Sequence, residues 1–137
     1  TEVLKEMYER YGYTAEETVS YVLEGRKGQE SIIKAMEGLR EKGAEELGGL
    51  KVLAVRDYKE RTRYDLVSGE RTRLDLPESN VLYFEMGKGS WVCVRPSGTE
   101  PKIKLYFGVS AESADKAAEL LKKIKEGLFE KMKKYFE

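Results

Sequence analysis

The chain has 137 residues, enough for one domain with a real core and too few for two ordinary ones. Its 25 basic and 25 acidic side chains cancel, so no overall field draws it to nucleic acid or to an anionic membrane, and any anion site must be local. With no histidine and one cysteine, Cys93, it has no imidazole for catalysis, no internal disulfide and no Cys/His metal cluster. No apolar run is long enough to span a bilayer and the first residues do not read as a secretory leader, so a cytoplasmic location is expected.

In chain order, Val3, Leu4, Met7 and Tyr8 recur at helical spacing, and the run closes at Tyr11-Gly12-Tyr13. Because the chain opens in mid-helix pattern, a piece of a longer protein is expected. Glu17 to Leu23, rich in β-branched, aromatic and aliphatic residues, predicts a first strand, ended by Gly25 and Gly28. Ile32, Ile33, Met36 and Leu39 fall on one face of a helix that Gly43 would close. Leu50 to Tyr58 predicts a second strand. The polar stretch from Lys59 to Pro77 reads as a loop or an irregular hairpin.

Asn80 to Met86 and Ser90 to Arg95 predict a third and fourth strand joined by the tight turn Gly87-Lys88-Gly89. Ile103, Leu105, Phe107 and Val109 alternate with Lys104, Tyr106 and Gly108 in a fifth strand with one apolar face. Ser110 is the expected cap of a last helix whose buried stripe is Ala117, Leu120, Leu121, Ile124, Leu128 and Met132. The order β-α-β-β-β-β-α predicts an α+β fold, an antiparallel sheet with two helices on one face.

Between the fourth and fifth strands stands Arg95-Pro96-Ser97-Gly98-Thr99-Glu100-Pro101. It gathers a guanidinium fork that matches phosphate at two points, two hydroxyl donors, and a glycine that lets successive N–H groups turn inward. Lys102 and Lys104 follow, on one face of the fifth strand. Such a loop can grip an anionic oxygen cluster, yet nothing in it reacts. On composition alone, Pro-Ser-Gly-Thr between two apolar runs reads first as an ordinary loop between antiparallel strands.

The longer string from Arg95 to Phe107, RPSGTEPKIKLYF, closely resembles the phosphate-binding loop in the last domain of the α-D-phosphohexomutases. Within that family it is most similar to the phosphoglucomutase and phosphopentomutase branch. The resemblance implies a fold similar to the TATA-binding protein, without its nucleic-acid binding, since function belongs to sites rather than folds. It also implies a parent enzyme that interconverts glucose 1-phosphate and glucose 6-phosphate through a phosphoserine and a bisphosphate, with Mg2+ and glucose 1,6-bisphosphate. By the same resemblance Arg95, Ser97, Gly98, Thr99 and Lys104 are the clamp for the substrate phosphate not being transferred. Many family members carry arginine where Lys104 stands, and lysine keeps the charge but loses the two-point geometry. Residues 1–14 are then the terminal helix and linker of a preceding domain, with Tyr13 to Glu16 on the hinge side, and 15–137 the phosphate-binding domain.

The family's other loops, of the Ser-His-Asn-Pro, Asp-x-Asp-x-Asp and Gly-Glu-x-Ser-Gly types, do not occur here. The resemblance therefore covers roughly the last quarter of such an enzyme. No catalytic residue, metal ligand or cofactor is assigned to this stretch, which is expected not to catalyse alone. Its expected partners are a sugar phosphate and the preceding domains of the parent. The alternatives are a phosphomannomutase or phosphopentomutase domain, a nucleic-acid module, which the balanced charge disfavours, and a non-catalytic interaction domain.

Four other features have plain readings. Glu100 either orients Arg95 or is an exposed turn carboxylate. Arg56-Asp57-Tyr58 resembles a recurring family stretch, although a surface pair at a strand end accounts for it. Cys93 is given no chemistry. Tyr106 either lies near the ligand or packs in the sheet.

Overall fold

The computed structural model describes residues 13–23, 25–42, 45–97 and 100–136. The helix expected near Val3 to Tyr11 and the closing Gly43 fall outside those residues. Ten elements follow in order: β1 (Tyr13–Val22), α1 (Gly25–Lys42), β2 (Glu46–Leu47), β3 (Leu50–Asp57), β4 (Thr62–Asp65), β5 (Arg71–Arg73), β6 (Leu82–Met86), β7 (Trp91–Pro96), β8 (Lys102–Ala111) and α2 (Ala114–Phe136). The strands form one antiparallel sheet in the order β1-β8-β7-β6-β3-β4-β5, with the short β2 paired to β3 off that path.

Period-two alternation decides which face is buried. Leu82, Phe84 and Met86 of β6, Val92 and Val94 of β7, and Ile103, Leu105, Phe107 and Val109 of β8 all point to the helices and are buried. Ile32, Ala35, Met36 and Leu39 of α1 meet them at positions i, i+3, i+4 and i+7, and Ala117, Ile124, Leu128 and Met132 of α2 complete the layer. Full burial of side chains such as Phe84 or Leu105 stabilises by about 1.5–3 kcal/mol each. The fold is thus the two-layer α+β arrangement that the alternation predicted.

Two local expectations change, and a third, the irregular hairpin, gains its strands. Tyr13 to Glu16, read as linker, are the first rungs of β1, paired with Ala111 to Gly108. Their alternation is masked because β1 is an edge strand and its inward positions include Glu17, which forms an ion pair with Lys125 of α2. Ser110, read as a helix cap, lies in β8 opposite Thr14. The cap is Ser113, whose Oγ accepts from the Lys116 N–H at 3.2 Å while its carbonyl accepts from the Ala117 N–H at 2.9 Å. The stretch from Lys59 to Pro77 contains the β4–β5 hairpin, its turn tied by Asp65 Oδ1, which accepts from the N–H groups of Val67 and Ser68 at 2.8 and 3.0 Å.

The β2–β3 hairpin turns at Gly48 and Gly49, with φ of 60° and 85°, conformations that side chains disfavour. At Gly48 a Cβ would also meet the α2 backbone at Lys123 and Ile124, 2.5 Å away. That close approach seats the hairpin against α2.

Candidate functional site

Arg95 and Lys104 stand directly opposite each other on β7 and β8 and project to the face away from the helices. Both are exposed, and neither forms an ion pair among the described residues. Opposite positions on paired strands hold their Cβ atoms about 4.5–5.5 Å apart, and like charges so placed repel. Two cations facing each other without a carboxylate make a place for an anion. Lys102, two residues back along β8, shares this face.

The loop between them is closed by its own backbone. The Ser97 N–H donates to the Lys102 carbonyl at 2.8 Å, the Lys102 N–H to the Glu100 carbonyl at 2.7 Å, and the Glu100 N–H to Ser97 Oγ at 3.3 Å. A further bond from the Leu23 N–H to the Pro101 carbonyl, 2.7 Å long, fastens the loop to the end of β1. The strands beneath place Arg95, Ser97 and Lys104 around one short connection. Gly98 and Thr99 lie outside the described residues. Glu100 is exposed and unpaired with Arg95, which matches the turn-carboxylate reading.

The rest of the open face is held by charge and ring contacts. Glu85 accepts from Arg56 Nε at 2.9 Å and from Arg63 at 2.6 and 3.1 Å. Hydrogen bonding from Arg63, opposed by partial burial and reinforced by Arg56, holds the Glu85 carboxyl below the usual carboxylate range. The Arg56 guanidinium is pushed further up by its hydrogen bonds to Tyr58 and Glu85, and it lies 4.7 Å over the ring of Tyr83. Tyr83 in turn stacks on Trp91, ring centroids 5.7 Å apart and planes within 10°.

Arg56 and Asp57 therefore do not form a pair with each other. As strand neighbours they point to opposite faces, and Asp57 accepts from Arg40 Nε of α1 at 2.9 Å instead. The Glu85 network was missed from sequence because its members lie on three different strands. Period-two alternation along β3, β4 and β6 was the signal that could have placed them on one face.

Cys93 shares this face, opposite Tyr106 and Tyr83. Burial pushes its thiol up, only partly offset by the charge of Arg95, so it stays protonated at neutral pH and is a poor nucleophile. Tyr106, half-buried, faces Thr18 on one side and Cys93 on the other, one pleat along from Lys104.

A family model described as the phosphoglucomutase/phosphomannomutase C-terminal domain matches residues 23–127. The chain belongs to that family. The domain is 35% identical over 114 residues to a phosphoglucomutase of Staphylococcus saprophyticus, a match covering 83% of this chain and 20% of the relative. Against a phosphoglucomutase of Staphylococcus epidermidis the identity is 33% over 126 residues, covering 92% of this chain and 22% of the relative. The domain thus spans about a fifth of the length of the curated relatives it matches. A crystal structure of the parafusin phosphoglucomutase from Paramecium, in its open form, shares the fold. Its TM-score is 0.56 at 16% identity, over 98% of this chain and 23% of that one.

Proposed function

We propose that this domain is the phosphate clamp of a phosphoglucomutase, with Arg95, Ser97, Gly98, Thr99 and Lys104 holding the sugar phosphate group that is not being transferred. The observation that carries the reading is the facing pair Arg95 and Lys104, two cations without carboxylate partners at the two ends of one short loop. Arg95 offers a planar fork for two phosphate oxygens, and Lys104 adds a point charge beside it. Backbone N–H groups and hydroxyls of the loop complete the shell.

Holding the distal phosphate matters because positioning supplies much of the rate in phosphoryl transfer. The clamp grips a phosphate rather than a ring, so glucose, mannose and pentose phosphates are equivalent to it. Sugar selection, the phosphoserine and the preceding domains belong to other parts of a longer chain. Among the described residues no three Asp, Glu, His or Cys side chains gather in a way that could hold a metal. Those residues do not fit the magnesium ion of the parent reaction.

The test is a titration of this chain with glucose 6-phosphate followed by amide NMR. Shifts concentrated at Arg95, Ser97, Gly98, Thr99 and Lys104, abolished in Arg95→Ala, are expected. Shifts confined to the helix surfaces refute the reading.

A further inference from the structure

Outside the Arg95 loop, three of the described arginines have carboxylate partners. Arg40 is paired with Asp57, and Arg56 and Arg63 with Glu85. Three are not, and all three sit at the β4–β5 hairpin. Arg61, Arg71 and Arg73 form no ion pair among the described residues, although Arg71 lies 5.4 Å over the ring of Tyr64. Together with Glu60, Thr62 and Thr72 they line one recess of ≈430 Å³.

Two further observations set this cluster apart from ordinary surface charge. Arg61 Nε is buried without a hydrogen-bond partner, an unmet donor that costs stability unless something supplies an acceptor. Arg61 also holds a left-handed backbone, φ 55°, the one non-glycine among the described residues to do so. The sheet fixes its neighbours as well: Thr62 lies opposite Arg73, and Tyr64 opposite Arg71.

We propose that this recess is a second anion site, one that takes the phosphate group of a small phosphorylated metabolite. Three guanidinium groups against the single carboxylate of Glu60 leave a net positive lining. β5 lies four strands from β7, about 19 Å at the usual strand spacing, so a ligand here does not touch Arg95. The site stands independently of the clamp reading.

The experiment is an amide NMR titration of this chain with glucose 6-phosphate at low ionic strength, against sodium chloride as control. A set of shifts at Arg61, Thr62, Thr72 and Arg73, separable from those near Ser97, is expected. Arg61→Gln with Arg73→Gln should weaken the hairpin set about tenfold and leave the other unchanged. Arg95→Ala should do the reverse. Arg73→Gln alone, on an exposed edge strand without a partner, guards against misfolding of the double variant and should weaken the hairpin set severalfold. Shifts near Ser97 alone overturn the second site and leave the clamp standing. A hairpin set produced equally by chloride, or unmoved by Arg61→Gln and Arg73→Gln, overturns it as well.

Discussion

The indole of Trp91 lies over Gly108 on the neighbouring strand, in the space a side chain at 108 would fill. Trp91 and Gly108 are opposite residues of β7 and β8, and the stack of Tyr83 on Trp91 continues from there across the open face. Gly108→Ala should therefore displace the indole and destabilise by about 1–3 kcal/mol, the usual cost of overpacking. Thermal unfolding and near-ultraviolet circular dichroism of Trp91 would check it. An unchanged melting temperature and spectrum would show that the ring moves aside freely.

Arg95→Ala should abolish the amide shifts near Ser97 and leave the melting temperature within a degree or two, because the side chain is exposed. Affinity of the intact chain for a sugar phosphate should be around millimolar, worth about 4 kcal/mol. In a full-length enzyme the loss of a two-point, charge-assisted contact should lower kcat/KM about a hundredfold or more, with Arg95→Lys recovering part of it. A sharp fall in melting temperature with normal activity per folded molecule would make Arg95 structural.

The purified chain should show no mutase activity with glucose 1-phosphate, a bisphosphate primer and magnesium. A coupled assay reading conversion above a blank, contamination excluded, would sink the assignment of the chemistry to other parts of the enzyme.

Glu85 should contribute stability that depends on pH. Its folded-state pKa is depressed, so the contribution is complete above the ordinary glutamate value near 4.5 and is lost as pH falls through the lower folded value. Glu85→Gln should thus destabilise more at pH 7 than at about pH 3. Urea melts of both proteins at the two pH values measure the difference. An equal loss at both would mean that Glu85 acts through shape and not charge.

Ser113→Ala should cost about 1 kcal/mol through the lost cap of α2, whereas Ser110→Ala should cost less, since Ser110 is held in β8 by its backbone. Chemical denaturation of the two variants compares them, and the reverse order would restore Ser110 as the cap.

Both serines precede the last helix in sequence, and local propensity alone does not separate them. What decides between them is the ladder with β1, which keeps the backbone extended through Ala111. The strands β6, β7 and β8 were legible because their inward positions are uniformly apolar and strictly alternate. β5 was not, because Arg71, Thr72 and Arg73 are all exposed and carry no hydrophobic period. β2 escaped notice at two residues long, although Gly48-Gly49 between Leu47 and Leu50 is a hairpin signal. Of the candidate site, Lys102 and Lys104 could be put on one face from spacing. That Lys104 stands opposite Arg95 depends on register across the loop, and the Glu85 network depends on pairing between strands remote in sequence.

The ladder of β1 with β8 joins the first described strand to the last, and β8 carries Lys104. On a ribosome, which releases the amino-terminal side first, β1 must wait unpaired until nearly the whole domain has emerged. Contacts of such long sequence separation close slowly, because the loop entropy is lost before the pairing is gained. The end of the sheet that carries Arg95 and Lys104 is therefore among the last parts to assemble during synthesis, and an exposed edge such as β1 is the segment most in need of protection in the meantime.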